Sequence, residues 1–276
     1  MSFNTALNRT RRLALCCALA WLTTGALAQS VVRVSGTGSG TGGMRLLAQA
    51  FMQANPAVRV DVLPALGSTG GISALMAGQI ELAVSNRPPK PAELATLPLL
   101  SVEYARTPFV VAVHKDLGIS VLTSVQFAAL FAEGAATFPN GKRARPVLRR
   151  SDETDTQILK SFAPEVAAAV DAAMTRRGML TADTDSEAAD LVERTAGAFA
   201  SSTLAQIETE QRPLIGLAIN GKVPTVAHLL DGSYPYQKPL YLIVNPQAGL
   251  DTKRFTAFVQ SAPGRALLRA HGHVPR

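Results

Sequence analysis

The chain has 276 residues and a formal net charge of +7 at pH 7, a mild basicity that suits an anionic ligand, and no Lys/Arg run dense enough for a nucleic-acid surface. Both cysteines, Cys16 and Cys17, and the single tryptophan, Trp21, fall within the first 28 residues. Without that stretch the chain has no disulfide or thiolate chemistry, and no later segment is apolar for long enough to span a membrane.

Residues 1–28 read as a secretory signal peptide. Arg9, Arg11 and Arg12 form a positive start, residues 13–21 an apolar run, and Ala26-Leu27-Ala28 a small-x-small cleavage site, with cleavage expected before Gln29 and delivery to the periplasm. The alternative, a membrane anchor, asks for about 20 apolar residues, and the run is shorter. Residues 31–34 then read as a strand, and residues 35–43 as a Gly-rich loop. Met44, Leu47, Ala48, Phe51 and Met52 follow at helical spacing up to Asn55-Pro56. A second strand over residues 58–63, a Gly-rich turn over 67–71, a helix beginning at Ile72 and a third strand over 80–84 repeat the pattern. Strand, loop and helix in this order argue for a parallel sheet covered by helices.

Residues 88–98 read as a Pro-rich crossover, residues 108–114 as an apolar strand, and residues 124–133 as a short helix. Residues 146–150 form a strand that runs into Ser151-Asp152-Glu153-Thr154-Asp155-Thr156. Two or three helices are expected between Thr156 and Glu208, late strands over 214–219 and 241–244, and a closing helix over 255–268 interrupted at Pro263-Gly264. Three loops therefore sit between a strand and a helix: 35–43, 67–71 and 150–156. Helix starts carry free N–H groups and positive dipole, glycine permits close backbone approach, and Ser/Thr hydroxyls add donors, so converging loops of this kind can hold an oxyanion. Each loop alone is most simply a helix cap.

Several segments carry a resemblance. Ser35-Gly36-Thr37 with the Met44 helix, Gly67-Ser68-Thr69-Gly70-Gly71, Glu81-Leu82-Ala83-Val84-Ser85-Asn86, and Arg149-Arg150-Ser151-Asp152 occur in order. They are followed by Asn220-Gly221-Lys222-Val223-Pro224-Thr225, Gly232-Ser233-Tyr234-Pro235, Lys238-Pro239-Leu240-Tyr241 and the closing stretch to His273-Val274-Pro275. Together they resemble the phosphate-binding proteins of ABC transporters, over nearly all of the chain after the leader. The resemblance implies an α/β chain of the type II periplasmic-binding-protein fold, with a ligand cleft between two lobes. Lobe 1 would be residues 29–113 and 220–276, lobe 2 residues 114–219, hinged at 109–113 and 219–222. It also implies a monomer that carries phosphate or a similar oxyanion to an inner-membrane ABC permease, with no cofactor and no nucleic-acid partner.

The resemblance assigns Ser39, Gly40 and Thr41 to the first ligand loop and Ser68 to the second. Arg150 would pair with the anion, positioned by Asp152, and Thr154 and Thr156 would add hydroxyls. Two positions depart from the family. Asn86 stands where an aspartate is usual, which puts rejection of sulfate-like anions in doubt because Asn donates as well as accepts. Asp155 stands where glycine is common. It either points to solvent or faces the cleft, and there it would repel phosphate. Two other functions compete. The first is a repurposed binding protein that senses a ligand, docks a partner or takes another small molecule. The second, weaker, is an exported hydrolase using Asp152, Glu153 and Asp155, which loop solvation and capping explain more simply. The G-x-G-x-x-G match at residues 38–43 is set aside because Asp61 lies mid-strand rather than at a strand end. His271 and His273 read as a chance surface pair, and no metal site is expected.

Overall fold

The computed structural model describes residues 30–276, so the leader expected over residues 1–28 lies outside the described residues. In chain order the elements are β1 (Ser30–Gly36), α1 (Gly38–Ala54), β2 (Val58–Val62), α2 (Gly67–Met76), β3 (Leu82–Ser85), α3 (Pro91–Thr96) and β4 (Leu100–His114). A 3₁₀ turn, Lys115–Leu117, leads to β5 (Val121–Leu122), α4 (Ser124–Ala129), β6 (Arg145–Leu148), α5 (Thr154–Lys160), α6 (Pro164–Met174), β7 (Leu180–Thr181) and α7 (Asp185–Arg194). Then come β8 (Ala198–Thr203), α8 (Leu204–Thr209), β9 (Leu214–Gly216), β10 (Ala218–Ile219), α9 (Val226–Leu230), β11 (Gln237–Val244), α10 (Leu250–Val259), α11 (Ala262–Arg269) and β12 (Val274–Pro275).

The main sheet runs in the order β2-β1-β3-β11-β4-β8-β6-β7, with β9 and β12 also paired to β4. It is mixed rather than parallel. β1 and β3 are parallel, as are β6 with β7 and with β8, but β11 is antiparallel to both β3 and β4, and β4 is antiparallel to β8. The reason is that β4 and β11 join the two halves of the sheet. β4 pairs with β11 from Leu100 to Pro108 and changes partner to β8 from Phe109 onward. The Phe109 N–H meets the Tyr236 carbonyl, and the Tyr234 hydroxyl donates to the Phe109 carbonyl. Thus the chain passes between halves at Pro108/Phe109 and returns at Tyr236/Gln237. Residues 109–113 are paired with β8 throughout, and residues 219–222 form a turn beside β10.

Each half has its own core. In the first, Val34, Met44, Leu47, Phe51, Leu82, Val84, Leu240 and Phe255 pack between the sheet and α1, α10 and α11, while Ile72, Leu75, Ala83 and Ile243 fill the other face. In the second, Phe109, Phe127, Phe131, Phe138, Phe162 and Phe199 form an aromatic cluster with several edge-to-face pairs, the geometry that ring quadrupoles favour.

Three expectations need correcting here. Residues 38–43 and 67–71 are not loops: α1 begins at Gly38 and α2 at Gly67. β8 lies where only helices were expected; Ala198–Thr203 is buried on both faces, so it lacks the alternation that marks a half-exposed strand. The interruption expected at Pro263-Gly264 in the closing helix falls slightly earlier, at Gln260–Ser261, where Ser261 caps α11 and Pro263 sits in its first turn.

Candidate functional site

The strands of both halves end at one place, the position outside the carboxyl ends of strands where open α/β sheets hold ligands. Thr37 follows β1, Asn86 follows β3, Arg149 follows β6, and Asp185 opens α7 just after β7. Asp155 is in the first turn of α5, Ser201 is in β8, and Lys238 is near the start of β11, opposite Thr107 on β4. All seven are buried.

Their polar atoms form one network. The Lys238 ammonium pairs with Asp155 and lies 2.6 Å from Asp185 Oδ1. Asp155 Oδ2 also accepts the Ser201 hydroxyl at 2.8 Å. Asp185 Oδ2 accepts the Thr37 hydroxyl at 2.7 Å and the Ser39 N–H at 3.1 Å, the latter from the first turn of α1. Arg149 Nη1 stands 3.5 Å from Asp185 Oδ1, and Arg149 Nη2 donates to the Asp183 carbonyl. The Asn86 amide donates to the Ser39 hydroxyl and the Pro239 carbonyl, its Oδ1 lies against the Thr37 hydroxyl, and its backbone N–H donates to Ser68 Oγ at 2.9 Å.

Not every residue assigned to the site from sequence stands in this network. Ser39, Ser68 and Asn86 do. Gly40 and Thr41 are buried inside α1, and the Thr41 hydroxyl is spent on the Gly38 carbonyl. The Arg150 side chain is 56% exposed and pairs with Asp152 and Glu153 at the surface; the buried guanidinium is that of Arg149. Thr156 donates to the Arg150 carbonyl, and Thr154 is half-buried at the start of α5. Asp155 does not point to solvent, because Lys238 holds it inside. The sequence assigns no ligand role to Lys238, Asp185 or Ser201. Only the lysine carried a signal, a cation inside an otherwise apolar strand.

Residues 23–263 match the model of the PBP superfamily domain. The chain belongs to this superfamily. Protein SphX of Synechococcus elongatus is 24% identical over 253 residues, 83% of this chain and 72% of that one. Among solved structures, a Clostridium perfringens protein described as a phosphate ABC-transporter substrate-binding protein, with bound phosphate, is 19% identical and superposes with a TM-score of 0.71 over 90% of this chain and all of that one. The periplasmic molybdate-binding protein of Azotobacter vinelandii is 15% identical, with a TM-score of 0.61 over 88% of this chain and 98% of that one. The fold is that of the type II periplasmic binding proteins.

In this PBP-superfamily chain the buried cations Arg149 and Lys238 face the buried carboxylates Asp155 and Asp185, and Glu153 Oε2 lies 3.7 Å from Arg149 Nη2 at the edge. Burial alone would push the Asp185 carboxyl up, yet Lys238 and Arg149 beside it, with hydrogen bonds from Lys238 and Thr37, hold it well below the usual carboxylate range. Burial likewise works against the charged Lys238 and Arg149, and the two aspartates outweigh it, raising both above their ordinary values. Arg149, Lys238 and Asp185 are therefore ionised at neutral pH. Among the described residues no group of His, Cys, Asp and Glu could hold a metal ion, and no helix is long and apolar enough to cross a membrane.

Proposed function

We propose that the chain is an exported, monomeric solute-binding protein that closes its two halves over a small oxyanion, phosphate foremost, and delivers it from the periplasm to an ABC permease. The observation that carries this reading is the meeting of Thr37, Ser39, Arg149 and Lys238, donors from both halves and from the strand that joins them, at one buried point. In this role Arg149 takes the place expected for Arg150, Asn86 fixes Ser39 and Ser68, and Arg150 with Asp152 stays at the rim. The halves hinge at Pro108/Phe109 and Tyr236/Gln237. No residue acts on the solute chemically; binding excludes water and completes the donor shell.

A second reading draws on Asp155 and Asp185. Two carboxylates already balance the two cations, so a solute with less negative charge than phosphate fits the same cleft. Thermal melting of the leader-free protein against phosphate, sulfate, molybdate, phosphonates and small organic acids separates the two. A ligand at 100 times its Kd stabilises by about 2.7 kcal/mol, a rise in Tm of roughly 5–10 °C for a chain of this size. A rise with phosphate supports the first reading. A rise only with organic acids or phosphonates supports the second, and no rise with any of them removes the oxyanion from both.

A further inference from the structure

The donors that would greet an anion are already engaged, and by the protein itself. Each oxygen of Asp185 is held as a bound oxyanion's would be. One takes the Thr37 hydroxyl and the Ser39 N–H at the start of α1. The other takes the Lys238 ammonium and faces Arg149. Thr37 and Ser39 come from the first half, whereas Asp185 belongs to α7 in the second. The contact between them leaves no gap. A Cβ added to Gly38 would lie 2.8 Å from Ser186 N and 3.0 Å from Asp185 Cβ, so the beginning of α1 rests on the beginning of α7.

A second observation shows that this carboxylate does not fill the site's donor capacity. Arg149 is buried, and its Nε and Nη1 have no hydrogen-bond partner. Buried guanidinium donors are costly to leave unpaired. A carboxylate brings two oxygens, and a tetrahedral oxyanion brings four. Unspent N–H groups on Arg149 are what remains when the smaller anion stands where the larger one fits.

We propose that Asp185 is a tethered competitor: its carboxylate occupies the anion position and binds the two halves together before any solute arrives, so that a free oxyanion must displace it. The proposal rests on the oxyanion reading of the cleft. Because the competitor is attached, it acts at an effective concentration in the millimolar range or above, without any dissociation to wait for. It thereby lowers affinity for a dianion and sets a threshold below which the cleft remains shut on itself. Asp155 is not equivalent, since it touches Lys238 and Ser201 but neither Thr37 nor Ser39.

The test is calorimetric titration of inorganic phosphate into the wild-type protein and Asp185→Asn, with circular dichroism to confirm folding, and small-angle scattering of the wild type with and without phosphate. Asp185→Asn keeps the shape and removes the charge, leaving Lys238 against Asp155 and Arg149 with Glu153 3.7 Å from its Nη2. The expected result is phosphate affinity at least tenfold higher in Asp185→Asn, and a wild-type radius of gyration that phosphate does not reduce. Phosphate binding by the wild type that Asp185→Asn fails to tighten overturns the competitor and leaves the oxyanion reading standing. Phosphate binding by neither protein overturns the oxyanion reading, and the competitor with it. If Asp185→Asn does not fold, the scattering decides: a wild type that becomes more compact on adding phosphate was open beforehand, and the proposal fails.

Discussion

At the residue scale the buried charges dominate. Lys238 is 1% exposed and holds both Asp155 and Asp185. Removing one partner of such a group leaves charge in a place that water cannot reach, a loss of about 3–5 kcal/mol. Lys238→Met is therefore expected to lower urea stability by that order. Arg150→Ala, which breaks only surface pairs, should stay within roughly 0.5 kcal/mol of the wild type. The sequence showed the Arg-Arg pair but not which arginine turns inward, because neighbours at a strand end point to opposite faces. Asp185 was harder still to see. An acid in the first turn of a helix, just after Thr184, reads as ordinary capping. What distinguishes it is the loop lying against it, nearly 150 residues away in the chain.

At the scale of elements, glycines decide how closely the pieces approach. Gly36 ends β1 at φ +142°, and a Cβ there would lie 1.9 Å from the Val84 carbonyl oxygen. Gly36→Ala must move β3 as well as strain its own backbone, and an unfavourable φ alone costs about 1–3 kcal/mol. Its loss in urea stability should exceed that of Gly221→Ala, which has φ +74° but open space around the added carbon. The alternating strands and helices of residues 30–85 were readable because apolar spacing marks them. The starts of α1 and α2 were not, since a run of glycines signals a loop; α1 is held by burial against β3 and by Asp185, and α2 by the close approach of Gly71 to Gly36, rather than by propensity. β8 stayed hidden for a related reason: Ala, Ser and Thr on two buried faces show no period.

At the scale of the molecule, the C-terminal stretch is tied into the first half, and His273 marks the seam. It was expected at the surface as half of a chance pair with His271, yet it is fully buried against Gly43 and Leu268. Neither ring nitrogen has a partner, and burial depresses its pKa to about 4, with His271 adding to the effect. The unfolded chain takes up this proton first, near pH 6.5, so stability is lost as pH falls from about 6.5 to about 4. This residue accounts for roughly 3 kcal/mol of the loss. His273→Met should flatten the urea-stability profile across that window relative to wild type, and an unchanged slope would remove the assignment. The two-lobed class was legible from element order and family resemblance. The crossover points and the mixed sheet were not, because β11 finds its partners on β3 and β4 only in three dimensions.

That placement of β11 also governs the order in which the molecule can be made. Leu82–Ser85 pairs with Tyr241–Val244, so a growing chain holds β3 with an open edge until almost the whole protein has been synthesised. At 5–20 residues per second the delay is roughly 8–30 s. Throughout that interval the amino-terminal half lacks its central strand and cannot lock.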